Sequence, residues 1–239
     1  MSAVVEHIMG MPIVVDVRDE DVRAEDLDRA FAWLRWVDAT FSTFRPDSEI
    51  CRIDRGELPL SEAHDDVRWI LARCDALRDE TSGYFDARAS GRLDPSGLVK
   101  GWSVDRAAEL LRDAGLRNFA VSAGGDMRTV GPAWRIGVQH PLQRQSVAAV
   151  LEVDDAAVAT SAAYARGDHV LDPHTGNPPA DLLSVTVVGP ELATADAYAT
   201  AAFAMGRDGP EWTARLAGYE AMTILVDETV LTTGGFPDV

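Results

Sequence analysis

The sequence predicts an α+β fold, and three observations carry that reading. Amphipathic helical patterns dominate the first half, short strands dominate the second, and the order never becomes the βαβ alternation of a doubly wound sheet. The length of 239 residues suits one large domain or two small ones, and 46% hydrophobic and 26% charged residues is ordinary globular composition. The reading taken is a single domain over residues 1–239. A chain of this size buries about 70–75% of its unfolded surface, so it needs neither disulfides nor structural zinc to fold.

The elements follow in order. Ile13-Val14-Val15-Asp16-Val17 reads as a short strand. Phe31, Leu34, Val37 and Phe41 recur at helical spacing, which predicts an amphipathic helix over about residues 25–41. A second helix starts at Ser61, a good N-cap, and carries Val67, Ile70, Leu71, Cys74 and Leu77 before stopping near Gly83. A third starts at Ser103, places Val104, Ala107, Ala108 and Leu111 on one face, and ends at Gly115. Strands then read over 117–122, 134–139, 147–153, 168–172 and 183–188. One more helix covers about 194–206, and another near 210–217 begins at Pro210, a favoured first helical position. Strands over about 221–226 and 229–233 close the chain as a hairpin. No repeat, low-complexity tract or long linker interrupts this order.

Charge narrows the function classes. The formal net charge is −17, from 39 acidic and 22 basic residues. Nucleic-acid binding needs clustered Lys and Arg to replace phosphate counterions, and no such cluster appears. The same charge disfavours anionic membrane surfaces, and no apolar run reaches the roughly 20 residues of a membrane helix. A phosphate-bearing ligand would therefore need a local offset, either a bound metal or a well-placed lysine. Residues 1–7 carry no basic n-region and no apolar h-region, so no signal peptide is read there. Cys51 and Cys74 fit buried thiols of a reducing compartment. A cytoplasmic protein is the expectation, although a longer form whose leader has been removed fits too.

Four polar clusters lack an obvious packing reason. Thr81-Ser82-Gly83-Tyr84-Phe85-Asp86 follows a helix end, where a C-cap and turn would suffice. Asp94-Pro95-Ser96-Gly97-Leu98-Val99-Lys100-Gly101-Trp102 leads into the third helix, and a glycine-bearing loop there can present backbone N–H groups and a lysine to an anion. Ser122-Ala123-Gly124-Gly125-Asp126 ends a strand, either as a hairpin turn or as a close approach for a ligand. The fourth cluster joins Ala159-Thr160-Ser161, His169-Val170-Leu171-Asp172-Pro173-His174-Thr175-Gly176 and Thr194-Ala195-Asp196-Ala197-Tyr198-Ala199-Thr200. Asp196 and Thr200 are four apart on one helical face, and such an oxygen pair can either ligate a hard cation such as Mg²⁺ or serve as capping.

These clusters, in this order, resemble the ApbE-type FAD:protein FMN transferases, and the resemblance spans nearly the whole chain. It also takes in Met9-Gly10-Met11-Pro12 and Phe41-Ser42-Thr43-Phe44-Arg45-Pro46-Asp47-Ser48-Glu49-Ile50. The resemblance implies mixed helices and antiparallel-rich sheets enclosing an FAD cleft. Met9, Phe44, Tyr84, Phe85, Asp86, Asp94, Lys100 and Leu171 would line it. Asp196 and Thr200 would ligate Mg²⁺ through side chains, joined by backbone oxygens of Gly97 and Ala199, with His169 as general base. The implied reaction moves FMN from FAD to a threonine or serine of an acceptor protein and releases AMP. An FAD pyrophosphatase and a non-catalytic FAD-binding or delivery protein are the alternatives. Two departures from the family pattern stand out. Only Ala87 to Val99 separate Asp86 from Lys100, where members carry a few dozen residues, and Ala162 replaces the glycine of the usual Thr-Ser-Gly.

Overall fold

A computed structural model describes residues 2–20, 22–143, 145–162 and 170–237. Among these residues the strands form two antiparallel sheets. Strands β1 (Ser2–Ile8) and β2 (Met11–Val17) are joined at Met9 and Gly10, whose φ angles of 55° and 72° suit a two-residue hairpin turn. β3 (Phe119–Ala123) pairs with β2 from Ile13↔Ala123 to Val17↔Phe119. Gly124 and Gly125, both at positive φ, then turn the chain into β4 (Asp126–Val130). β5 (Trp134–Gln139) and β6 (Val147–Val153) leave this sheet as a separate hairpin. The chain returns as β7 (Ala157–Ala162) beside β4 and continues through β8 (Leu182–Gly189), β9 (Glu220–Leu225) and β10 (Val230–Thr232). The main sheet runs β1-β2-β3-β4-β7-β8-β9-β10.

The helices are α1 (Ala24–Phe41), α2 (Glu49–Asp54), α3 (Asp65–Glu80), α4 (Ser96–Asp113), α5 (Leu192–Ala204) and α6 (Gly209–Thr213). In α1, the buried faces of Leu27, Ala30, Phe31 and Leu34 share a core with Val15 and Val17 of β2, Leu111 of α4 and Ala195 of α5. A second apolar cluster joins Val37 and Phe41 of α1, Ile50 of α2, Ile70 and Leu77 of α3, Leu98 of α4 and Ala197 of α5. Trp134, Ile136 and Val138 of β5 pack with Leu151 and Val153 of β6 against Ala120, Val158, Val188 and Met222 of the main sheet. No helix among the described residues is long and apolar enough to cross a membrane.

The α+β expectation holds, with the strands at 134–139 and 147–153 matched end to end. Elsewhere the structure corrects the reading. The third helix begins at Ser96 rather than Ser103, so Gly97 and Lys100 lie in its opening turns and not in a preceding loop. Glycine is a poor helix former, yet burial of Leu98 and Val99 and an Asp94 carboxylate accepting from the Ser96 N–H at 3.0 Å override it. The second helix begins at Asp65, with His64 as its N-cap, because Ser61 belongs to a separate short turn over Leu60–Glu62. Residues 170–172 are not a strand, and 168 and 169 fall outside the described residues. β1, β4, β7 and α2 are elements the sequence pattern did not announce.

Gly101 explains how α4 and α5 meet. A Cβ built there would lie 2.4 Å from the Leu192 carbonyl oxygen and 2.8 Å from Ala193 Cα, so only a glycine admits this backbone-to-backbone approach. Gly101→Ala is expected to lower stability by about 1–3 kcal/mol. A urea midpoint equal to that of the wild type would contradict this contact.

Candidate active site

Four elements converge on Lys100. It projects from the start of α4, and its ammonium makes an ion pair with Asp126 at the head of β4 and lies 3.3 Å from Asp196 Oδ1 on α5. Asp196 Oδ2 accepts from the Gly101 N–H at 3.3 Å, and Asp126 Oδ1 accepts from the Thr160 N–H of β7 at 2.9 Å. One turn along α5, the Thr200 hydroxyl lies 3.4 Å from the Ser161 hydroxyl. A Cβ on Gly97 would come within 3.5 Å of Thr200 Oγ1, which places the first turn of α4 over the same hydroxyl. Two carboxylates, two hydroxyls and one ammonium are thus gathered where the ends of two helices meet two strands.

Burial governs the electrostatics. The Asp196 and Asp126 side chains are 5% and 1% exposed and that of Lys100 is 18% exposed. Desolvation pushes the Asp196 carboxyl upward, to about 7, with Lys100 acting against the rise and Asp126 adding to it. The donors are all hard oxygens, which suits Mg²⁺, an ion commonly held by one or two carboxylates with water or phosphate completing the shell. Among the described residues no group of three or more His, Cys, Asp or Glu could hold a metal ion.

A second arrangement lies beside the first. His174 Nε2 is 3.1 Å from the Ser82 carbonyl oxygen, and its ring meets Tyr84 edge-on at 4.6 Å. The Asp172–Gly176 turn holds itself in shape, since Asp172 accepts from the His174 N–H and from the Thr175 hydroxyl, both at 2.9 Å. Phe85 joins the two arrangements: a Cβ on Gly97 would lie 3.2 Å from its ring.

The residues singled out from sequence fall into distinct places. Lys100, Gly97, Asp196 and Thr200 come together, and Ala199 is buried in the same helix. Tyr84 faces His174, and Met9 occupies the β1–β2 turn. Asp86 is half-buried, accepts from the Arg88 N–H at 2.8 Å and lies 3.6 Å from Arg78. Asp94 is exposed beside the start of α4, and Leu171 is half-buried next to Val170. Phe85 is a core residue, 4% exposed, and Phe44 stands 94% exposed on the loop after α1. His169 lies outside the described residues. Asp126, Ser161 and His174 also lie in these arrangements, and the sequence pattern does not single them out individually. The glycine pair before Asp126 and the self-capped turn around His174 were the available signals.

The ion cluster makes a pH-dependent prediction. A carboxyl whose folded pKa is raised binds its proton more readily in the folded state. Its contribution therefore favours folding at low pH and is lost as pH rises from the unfolded value of about 3.9 through the folded one. Removing the Lys100 ammonium, which opposes this rise, should widen the effect. Lys100→Met is expected to cost about 3–5 kcal/mol at about pH 8, where two buried carboxylates lose their partner, and clearly less at about pH 5. Equal losses in denaturant titrations at the two pH values would rule out this pairing.

Residues 9–91 and 87–223 match the model of the ApbE family. An FAD:protein FMN transferase of Vibrio cholerae is 35% identical over 161 residues, 61% of this chain and 47% of that one. Another, from Salmonella typhimurium, is 30% identical over 148 residues, 56% of this chain and 42% of that one. The chain spans about half the length of the curated relatives it matches. Among solved structures, the ApbE protein of Thermotoga maritima superposes with a TM-score of 0.85 at 22% identity, covering 98% of this chain and 97% of that one. The flavin transferase ApbE from Vibrio cholerae gives the same TM-score and coverage at 23% identity. With the family model covering most of its length and the fold matched end to end, the chain belongs to the ApbE family.

Proposed function

We propose that the protein transfers the FMN half of FAD to a threonine or serine hydroxyl of an acceptor protein, with Mg²⁺ as cofactor and AMP as the leaving group. The observation that carries this reading is the Lys100–Asp126–Asp196 cluster with the Thr200 and Ser161 hydroxyls beside it. Its oxygen ligands and single ammonium suit a metal–diphosphate ligand and support this reading for a protein of net charge −17. The names of the similar proteins support flavin transfer as the reaction.

The balance of the step is simple. The acceptor oxygen forms a bond to the FMN-side phosphorus, the bond to the bridging oxygen breaks, and its electron pair leaves with AMP. The proton of the attacking hydroxyl passes to a base, for which His169 is the candidate. Asp196 and Thr200, with backbone oxygens of Gly97 and Ala199, would hold Mg²⁺. When bound, that ion supplies positive charge to the diphosphate oxygens as negative charge develops on them. Lys100 adds a second positive charge at the same place and screens the two carboxylates from each other. Tyr84, Met9 and Phe44 would contact the flavin, and Asp86, Asp94, Phe85 and Leu171 would shape its surroundings.

Three outcomes test this. Incubation with FAD, Mg²⁺ and a threonine-containing acceptor should give acceptor-bound FMN, seen as in-gel flavin fluorescence after denaturation, together with AMP. Free FMN as the sole product would turn the reading to hydrolysis, and FAD retention without AMP release would turn it to delivery. Asp196 is buried rather than exposed at a helix start, so Asp196→Asn is the informative variant. It should abolish Mg²⁺-dependent turnover, and Thr200→Val should weaken that turnover less. His169→Ala should slow turnover by about 10²–10⁴-fold with FAD affinity nearly unchanged. A His169→Ala variant as fast as the wild type removes that residue from the reaction.

A further inference from the structure

Helix α5 carries Asp196 and Thr200, yet it does not cap itself. Its N-cap residue, Glu191, is extended at φ −129° and ψ 129° and makes no side-chain capping bond. The Glu191 carboxylate instead accepts from the Thr194 hydroxyl at 3.2 Å. The first-turn N–H groups of a helix have no intrahelical acceptor, and here the acceptor comes from another helix. Asp105, in the middle of α4, accepts from the Ala193 N–H through Oδ2 at 2.8 Å.

The setting of Asp105 is unusual for a capping side chain. Its other oxygen, Oδ1, is buried without a hydrogen-bond partner among the described residues and lies 3.6 Å from Arg128 Nε. Arg128 is itself largely buried, and its Nη1 donates to the Thr129 carbonyl at 2.7 Å. One turn earlier on α4, Gly101 touches the backbone of Leu192 and Ala193, and its own N–H donates to Asp196. Lys100 precedes it and pairs with Asp196. Successive turns of α4 therefore grip the first turn of α5, and the grip fixes both where α5 starts and how far it is rotated.

We propose that Asp105 is a positioning residue for this site. By capping α5 from outside, it holds Asp196 and Thr200 in register with Lys100 and Gly97. This rests on the reading of the site given above and adds to it a residue that touches neither substrate nor metal. Outer residues that orient metal-binding groups typically change affinity or activity by about 10–100-fold when replaced.

The test compares Asp105→Asn with Asp105→Leu. Both variants are close to isosteric with aspartate and both deprive Arg128 of its charged neighbour, so that cost is common to them. Only Asn keeps an oxygen acceptor for Ala193. Amide proton shifts in the full chain report directly, because Ala193 N–H donates to residue 105 and Gly101 N–H donates to Asp196. In Asp105→Leu both signals are expected to move, and in Asp105→Asn both should stay near their wild-type positions. Binding of Mn²⁺, used as the probe metal in the presence of FAD, should weaken about tenfold or more in the Leu variant and recover in the Asn variant. Turnover should follow through kcat, with KM for FAD little changed. A Gly101 signal unmoved in Asp105→Leu, or Mn²⁺ affinities equal in the two variants, would reduce Asp105 to a local cap and overturn the proposal. Failure of the flavin-transfer reading would appear separately, as a wild type that releases no AMP, because the amide shifts require no reaction.

Discussion

Helices α4 and α5 touch backbone to backbone at Gly101, and the chemistry of the site depends on that absence of a side chain. With the two axes so close, Lys100 reaches a carboxylate on α5 without stretching, and Asp196 can accept from an amide of the opposing helix. A larger residue would push α5 outward, carrying Thr200 away from Gly97 and Ser161. The sheet supplies the remaining partners, because β4 and β7 lie side by side and bring Asp126 next to Thr160 and Ser161. A helix crossing and a strand pair thus define one small volume from four stretches of chain.

That volume would let an acidic protein hold the anionic ligand proposed for it. Within the cluster one ammonium stands against two carboxylates, so the protein alone leaves it negative. A divalent cation bound there, as the proposed reaction requires, would reverse the sign locally while the surface remains acidic. The acidic surface works against adventitious polyanions.

What the sequence disclosed follows from which residues do the packing. Phe31, Leu34, Val37 and Phe41 are bulky and recur at helical spacing, so α1 was legible to within a residue or so. Trp134, Ile136 and Val138 alternate with exposed neighbours, and β5 was legible for the same reason. The segments that form the site are poorer in large apolar residues. β7 is built from Ala157, Val158, Ala159, Thr160, Ser161 and Ala162, and α4 opens with Ser96 and Gly97. Their conformation is imposed by neighbours distant in sequence, so local pattern said little about them. Lys100, Asp196 and Thr200 could still be picked out, the last two from their four-residue spacing. Asp126 could not be paired with Lys100, because nothing short of the sheet order brings the two together.

The placement of β2 between β1 and β3 has a kinetic consequence. Asp19, just after β2, accepts from the Asn118 N–H, 99 positions along the chain. During synthesis the N-terminal hairpin must wait, one edge unsatisfied, until β3 has been made, and α5 arrives only after about residue 192. Pairings of such long sequence separation slow folding and leave strand edges open to other chains. In a nascent chain of this protein that edge of β2 is therefore exposed before the residues of the candidate site are complete.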